Sequence, residues 1–120
     1  MAKPVLDPNN PPTFPNKLHK GKHSGPSLAV ITGQNINVGD GVRVTGTKGK
    51  HPTVWDGTIT KDNHDGTFES NDLVVNLEET NRLGQQNPAN PRGTEDVSTT
   101  VSNGNDTSTP VQSNQVSTIP

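Results

Sequence analysis

A chain of 120 residues with 24% hydrophobic and 2% aromatic content, 12 glycines and 11 prolines holds at most one ordinary domain. It has too little apolar surface to offset the entropy of ordering every residue. The lack of cysteine excludes disulfide staples and thiolate metal sites. No apolar run reaches the length of a secretory leader or the roughly 20 residues of a membrane-spanning helix, so a soluble protein is expected, made without cleavage and without a membrane partner. The net charge of −2 is unevenly spread. Lys3, Lys17, Lys20 and Lys22 face only Asp7 in residues 1–25. After residue 77, Glu78, Glu79, Glu95, Asp96 and Asp106 outnumber Arg82 and Arg92.

Residues 1–27 carry Pro4, Pro8, Pro11, Pro12, Pro15 and Pro26. Each removes a backbone donor and pushes its predecessor out of helical space. The composition predicts an extended, partly polyproline II arm. With its few isolated apolar residues, Phe14 and Leu18 among them, it reads either as an arm anchored in a groove on another subunit or as a frayed tail. The basic run Lys17-Leu18-His19-Lys20-Gly21-Lys22-His23 reads as a solvated linker that could touch phosphates. His19 and His23 have metal-ligand spacing only on a helix, which Gly21 and the prolines oppose.

Residues 28–83 read as a small antiparallel barrel. Leu28–Ile31 is a first strand, followed by a turn at Gln34-Asn35. Gly39-Asp40-Gly41 is a tight turn where positive φ is available. Val42 and Val44 alternate with Arg43 and Thr45, the period of a half-buried strand. After a Lys- and Gly-rich loop over 46–52, Trp55, Gly57 and Ile59 share one face of the next strand. That parity predicts a core position for Trp55, although tryptophan is also a common interface anchor. Gly57 in mid-strand predicts a bulge or bend. Asp65-Gly66 marks a hairpin, Phe68 lies on its return strand, Asn71-Asp72 is expected to break that strand, and Leu73, Val75 and Leu77 line the last one. Glu78–Leu83 is expected to form one helical turn.

Residues 84–120 are dominated by Gln, Asn, Pro, Ser and Thr, with Val97, Val101, Val111, Val116 and Ile119 scattered among them. This is low complexity, too polar to fold alone. It reads as an extended tail whose β-branched residues suit addition to another chain's sheet edge. Asn105-Asp106-Thr107 matches a glycosylation acceptor, taken as accidental in a chain with no leader.

The order Gly39-Asp40-Gly41-Val42-Arg43-Val44, Gly57-Thr58-Ile59, Asp65-Gly66 and Phe68 to Leu73 resembles the SH3-like small barrels, including KOW and Tudor-type modules. The resemblance covers about a third of the chain and implies a five- or six-stranded barrel. Trp55 and Phe68 are the module's only aromatics, so the aromatic cage by which Tudor-type modules hold methylated cations cannot be built.

Candidate chemistry is sparse. With Gly66 at the sixth position of a calcium loop, Lys61 falls at the first and Asp72 at the twelfth, so Asp62–Gly66 reads as a turn. Ser24, Ser27 and Ser70 have no base that the sequence pairs with them, and no nucleophile elbow or phosphate loop occurs. The expectation is no enzyme, no cofactor and no metal.

A small barrel with two long polar arms resembles accessory structural proteins of bacteriophage virions, namely capsid decoration proteins and head–tail or tail-attached minor proteins. The resemblance implies synthesis in the host cytoplasm and residence in the virion. Its partners would be major capsid, portal or tail subunits, with self-association left open, and the arms would staple neighbouring subunits. Phe14, Leu18, Trp55 and Val111 are the expected partner contacts. The alternative is a KOW-like nucleic-acid-associated module that uses Arg43, Lys48 and Lys50, set against a net-acidic barrel.

Overall fold

Alternation of small apolar and polar residues is the rule that builds this chain. In the computed structural model, which describes residues 2–20, 25–47, 52–82 and 93–119, it produces nine strands and one helix. In chain order these are β1 Val5–Leu6, β2 Leu18–His19, β3 Ser27–Gln34, β4 Gly41–Gly46, β5 Val54–Thr58, β6 Lys61–Asp62, β7 Thr67–Val75, α1 Leu77–Arg82, β8 Gly93–Ser102 and β9 Val111–Ile119. The fold is all-β, as expected. The strands form one curled, open sheet in the order β1-β3-β7-β5-β4-β8-β9-β2, with β6 hydrogen-bonded to β7. This is a half-barrel of nine strands in place of five or six.

Several local readings hold. Ser27, Ala29 and Ile31 of β3 are buried while Leu28 and Val30 are half-covered. Val42 and Val44 point into the core and Arg43 points out. Asn35 and Gly39 take positive φ at their turns. The hairpin between β6 and β7 turns on His64 and Gly66, both at positive φ. Asn76 caps α1: its side-chain oxygen accepts the N–H of Glu79 at 2.9 Å, and its carbonyl accepts that of Thr80.

Two readings at β5 and β7 are refined. Val54 and Trp55 are adjacent yet both fully buried, because α1 covers the outer side of β5, where Thr80 Oγ1 accepts the Val54 N–H. Asn71-Asp72 does not end β7. It sits in a bulge, where Ser27 pairs with Leu73 and Ala29 with Ser70. Asp72 fills the gap in the ladder by accepting the N–H (2.8 Å) and hydroxyl (2.6 Å) of Thr58. Gly57 is the residue the bulge passes: a Cβ there would lie 2.6 Å from Asp72 Oδ1 and 3.0 Å from Leu73 N.

The largest difference lies at the C-terminus. Residues 93–102 and 111–119 are a hairpin inside the sheet, not an extended tail. β8 pairs with β4 over six positions from Gly41↔Ser102 to Gly46↔Val97, and β9 pairs with β8. Val97, Thr99 and Val101 are fully buried. The core accepts small residues here, and two of the buried hydroxyls are satisfied: Ser108 Oγ takes the Val101 N–H and Ser113 Oγ donates to Pro12 O, while Thr99 Oγ1 is buried without a hydrogen-bond partner among the described residues. Composition alone therefore undercounts the core.

The N-terminal arm folds back on its own chain and spans the two edges of the sheet. Val5 and Leu6 pair with Gln34 and Gly33, and Thr13 forms an isolated antiparallel bridge with Val30. After a turn in which Lys17 N–H donates to Phe14 O, β2 runs parallel to β9, Leu18 facing Thr118 and His19 facing Ile119. His19 N–H also donates to Ser27 Oγ, so β2 approaches β3 and nearly closes the barrel. The arm's few apolar side chains explain this path: Leu6 and Leu18 enter the same core cluster as Trp55.

Candidate functional site

Across the outward face of the sheet, Val74 of β7, Asp56 of β5, Arg43 of β4 and Thr100 of β8 stand in one register row. The pleat places them there: Arg43 and Thr100 each lie between two buried neighbours, and Asp56 and Val74 each follow one, Trp55 and Leu73. Arg43 and Asp56 form a two-pronged pair, Nε to Oδ1 at 2.8 Å and Nη2 to Oδ2 at 2.9 Å. Asn76 Nδ2 donates to Asp56 Oδ2 at 2.7 Å. Glu79 of α1 lies 3.7 Å from Arg43 Nη1 and pairs with Arg82 one turn on. Five side chains, from β4, β5, α1 and the Asn76 cap that precedes it, thus make one continuous network.

The network fixes its own charge states. Burial would push the Asp56 carboxyl up, but hydrogen bonds from Arg43 and Asn76 outweigh it and hold the group below the usual carboxylate range. The bond to Asp56 raises Arg43 above its ordinary value. Arg82 lowers Glu79. Two apolar side chains are exposed beside it, Val74 at 49% and Leu77 at 36%. On the other side a shallow cleft of about 410 Å³ is bounded by Arg43, Asp56, Gly57, Thr100, Ser102 and Thr107. Every charge in the network has a partner within it.

The expected contact residues are elsewhere. Leu18 and Trp55 are fully buried and Val111 is 8% exposed; all three belong to the chain's own core, with Phe14 packed against it. Trp55 Nε1 donates to His19 O at 2.9 Å, which satisfies the indole inside the fold. The structure brings all four to one interior rather than to a surface. Arg43 is not part of a basic patch, because Asp56 and Glu79 neutralise it; Lys48 and Lys50 lie outside the described residues, as do Ser24, His23 and His51. The run from Lys17 is not simply solvated either. Lys20 is buried, its Nζ 2.6 Å from Glu95 Oε2. Ser27 and Ser70 are spent on His19 N–H and Asp72. At the hairpin, Asp62 and Asp65 accept N–H groups of their own turn.

Sequence reasoning missed Asp56, Val74, Asn76, Glu79 and Arg82 as a group. The outward parity of Arg43 and Asp56 was readable. Their register was not, because it depends on how β4 and β5 pair. Among the described residues no three His, Cys, Asp or Glu side chains group to hold a metal ion, and no helix is long and apolar enough to cross a membrane. Compared with known proteins, the chain matches no family model, no curated protein and no solved structure.

Proposed function

We propose that the chain is a structural accessory subunit of a large protein assembly, of the kind found in bacteriophage virions, where capsid decoration and head–tail proteins perform this role. In this reading the SH3-like pattern from Gly39 to Leu73 supplies a scaffold, and the arms seal it rather than run over neighbouring subunits. The outward face of β4, β5, β7 and α1 does the binding.

One observation carries the reading: exposed Val74 and Leu77 border a pre-paired network of Arg43, Asp56, Asn76, Glu79 and Arg82. Exposed apolar side chains beside charges that are already paired and oriented suit a protein–protein contact. Such charges steer and register a partner more than they add raw affinity.

The test is incorporation. Particles purified from cells that make the protein should contain it at fixed stoichiometry. Val74→Asp/Leu77→Asp should keep the far-UV spectrum and thermal midpoint of the parent yet be lost from the particle. Normal incorporation of the folded variant would overturn the assignment of this face, and absence of the parent chain from all particles would overturn the function.

A further inference from the structure

Apart from a local turn in which Asn9 and Asn10 donate to Asp7, residues 2–13 bond to parts of the chain that lie beyond the Phe14–Lys17 turn. Val5 and Leu6 pair with Gln34 and Gly33. Asp7 N–H donates to Thr32 O at 3.0 Å, and Thr13 exchanges two backbone bonds with Val30, at 3.0 and 2.9 Å. Asn103 Nδ2 donates to Ala2 O and Ser113 Oγ to Pro12 O. A single backbone hydrogen bond among the described residues, Lys17 N–H to Phe14 O at 3.0 Å, shapes the turn that delivers the segment. That turn is strained, since Lys17 holds φ at 64°, a region that Cβ-bearing residues avoid.

The seat is specific for this segment. Removing it would take Pro4, Leu6 and Pro12 out of buried positions and strip Val30 and Thr32 of main-chain partners, which is costly. Gly33 has no room for a Cβ, which would collide with the Val5 carbonyl oxygen. A groove of about 390 Å³ still runs along the seam between Val5–Pro8 and Thr32–Gln34. Pro4, Pro8, Pro11 and Pro12 keep a released segment extended, which lowers the entropy lost on redocking.

We propose that this seam is a strand-exchange site whose second occupant is another copy of the same chain. Residues 2–13 of one copy leave their own β3, the Phe14–Lys17 turn opens and relieves Lys17, and the segment pairs with β3 of the second copy. Residues 18–20 stay on their own β9. The reciprocal exchange gives a closed two-fold dimer in which every bond of the seam is remade. It needs no other protein, so it stands or falls separately from the virion reading.

The cysteine-free chain makes the test direct. Thr13 and Val30 are an opposed antiparallel pair, within disulfide reach at about 5.5 Å between Cα atoms. Full-length Thr13→Cys and Val30→Cys variants are mixed, unfolded, refolded together at high concentration and oxidised. The expected result is a disulfide-linked heterodimer well above either homodimer on a non-reducing gel. Lys17→Gly, which removes the strain at the turn, should lower its yield about fivefold, and Lys17→Pro, which cannot hold the turn, should raise it. The double variant Thr13→Cys/Val30→Cys is the folding control, because it links within or between chains once the seam forms. Links confined to single chains, with a monomeric mass by light scattering throughout, would overturn the proposal.

Discussion

Lys20 Nζ lies 2.6 Å from Glu95 Oε2, with side chains only 7% and 2% exposed, and this buried pair ties the end of the N-terminal arm to β8. Among the described residues neither Glu95 oxygen has an aligned hydrogen-bond donor, so Lys20 is what compensates the carboxylate. Removing one member strands the other in a low-dielectric interior. Lys20→Met is expected to cost about 3–5 kcal/mol, whereas Lys20→Met/Glu95→Leu should cost much less. Urea unfolding of the single and double variants measures both. An equal loss in the two would show that packing, not charge, matters there.

Trp55 is the chain's only tryptophan, and its indole N–H is held by the carbonyl of His19. Its fluorescence therefore reports on the seating of the arm. Gly33→Ala, which collides with the Val5 carbonyl, is expected to loosen the arm, shift the emission to the red and lower stability by about 1–3 kcal/mol. Unchanged emission and stability would mean that the seam absorbs the extra methyl.

Acid should unfold the protein through its paired carboxylates. Burial would raise Asp56 and Asp72, but their hydrogen bonds outweigh it: Arg43 and Asn76 lower Asp56, and Thr58 and Ser70 lower Asp72. A carboxyl whose folded pKa lies below its unfolded value of about 3.9 stabilises the fold above that value. The contribution is lost as pH falls through the folded pKa. Urea midpoints should be level near neutrality and drop below about pH 4. Asp72→Asn should start lower and fall less steeply, and an unaltered slope would remove Asp72 from the account.

Gly57→Ala tests the bulge. The added methyl would sit 2.6 Å from Asp72 Oδ1 and 3.0 Å from Leu73 N, and the second contact is backbone that cannot swing away. Overpacking of this kind costs about 1–3 kcal/mol. Thermal unfolding gives the value. A neutral result would mean that the bulge slides along β7.

Truncation separates a tail from a structural hairpin. A chain that stops at residue 84 loses Val97, Val101 and Val111 from the core and leaves β4 with one unpaired edge. It should lack the dispersed amide spectrum of a folded sheet and tend to aggregate. A well-dispersed spectrum would restore the tail reading.

The parts of the fold legible in the sequence are those where local chemistry decides. The Asp65-Gly66 hairpin, the Gly39 turn and the Val42/Val44 alternation need only nearest-neighbour sterics and period two. The hairpin of β8 and β9 was illegible because its inward positions alternate Val with Thr, Ser and Glu95, which composition counts as polar. Inside the sheet, β4 and the arm cover these residues and make them core. The arm posed the opposite problem. Leu18 reads as an anchor for some surface, and nothing local says that the surface is this chain's own β9. The outward network failed for the same reason, since Arg43 meets Asp56 and Glu79 only through strand register and the placement of α1.

The parallel pairing of Leu18 with Thr118 and His19 with Ile119 sets a timetable for biosynthesis. β2 is made well before β9, the strand on which it is seated. At about 5–20 residues per second, Leu18 waits for roughly 5–20 s with its intended cover still untranslated. Such long-range closure is slow even for a finished chain. The arm is therefore sealed only once β9 has been made, and until then its low hydrophobicity keeps the exposed apolar surface small.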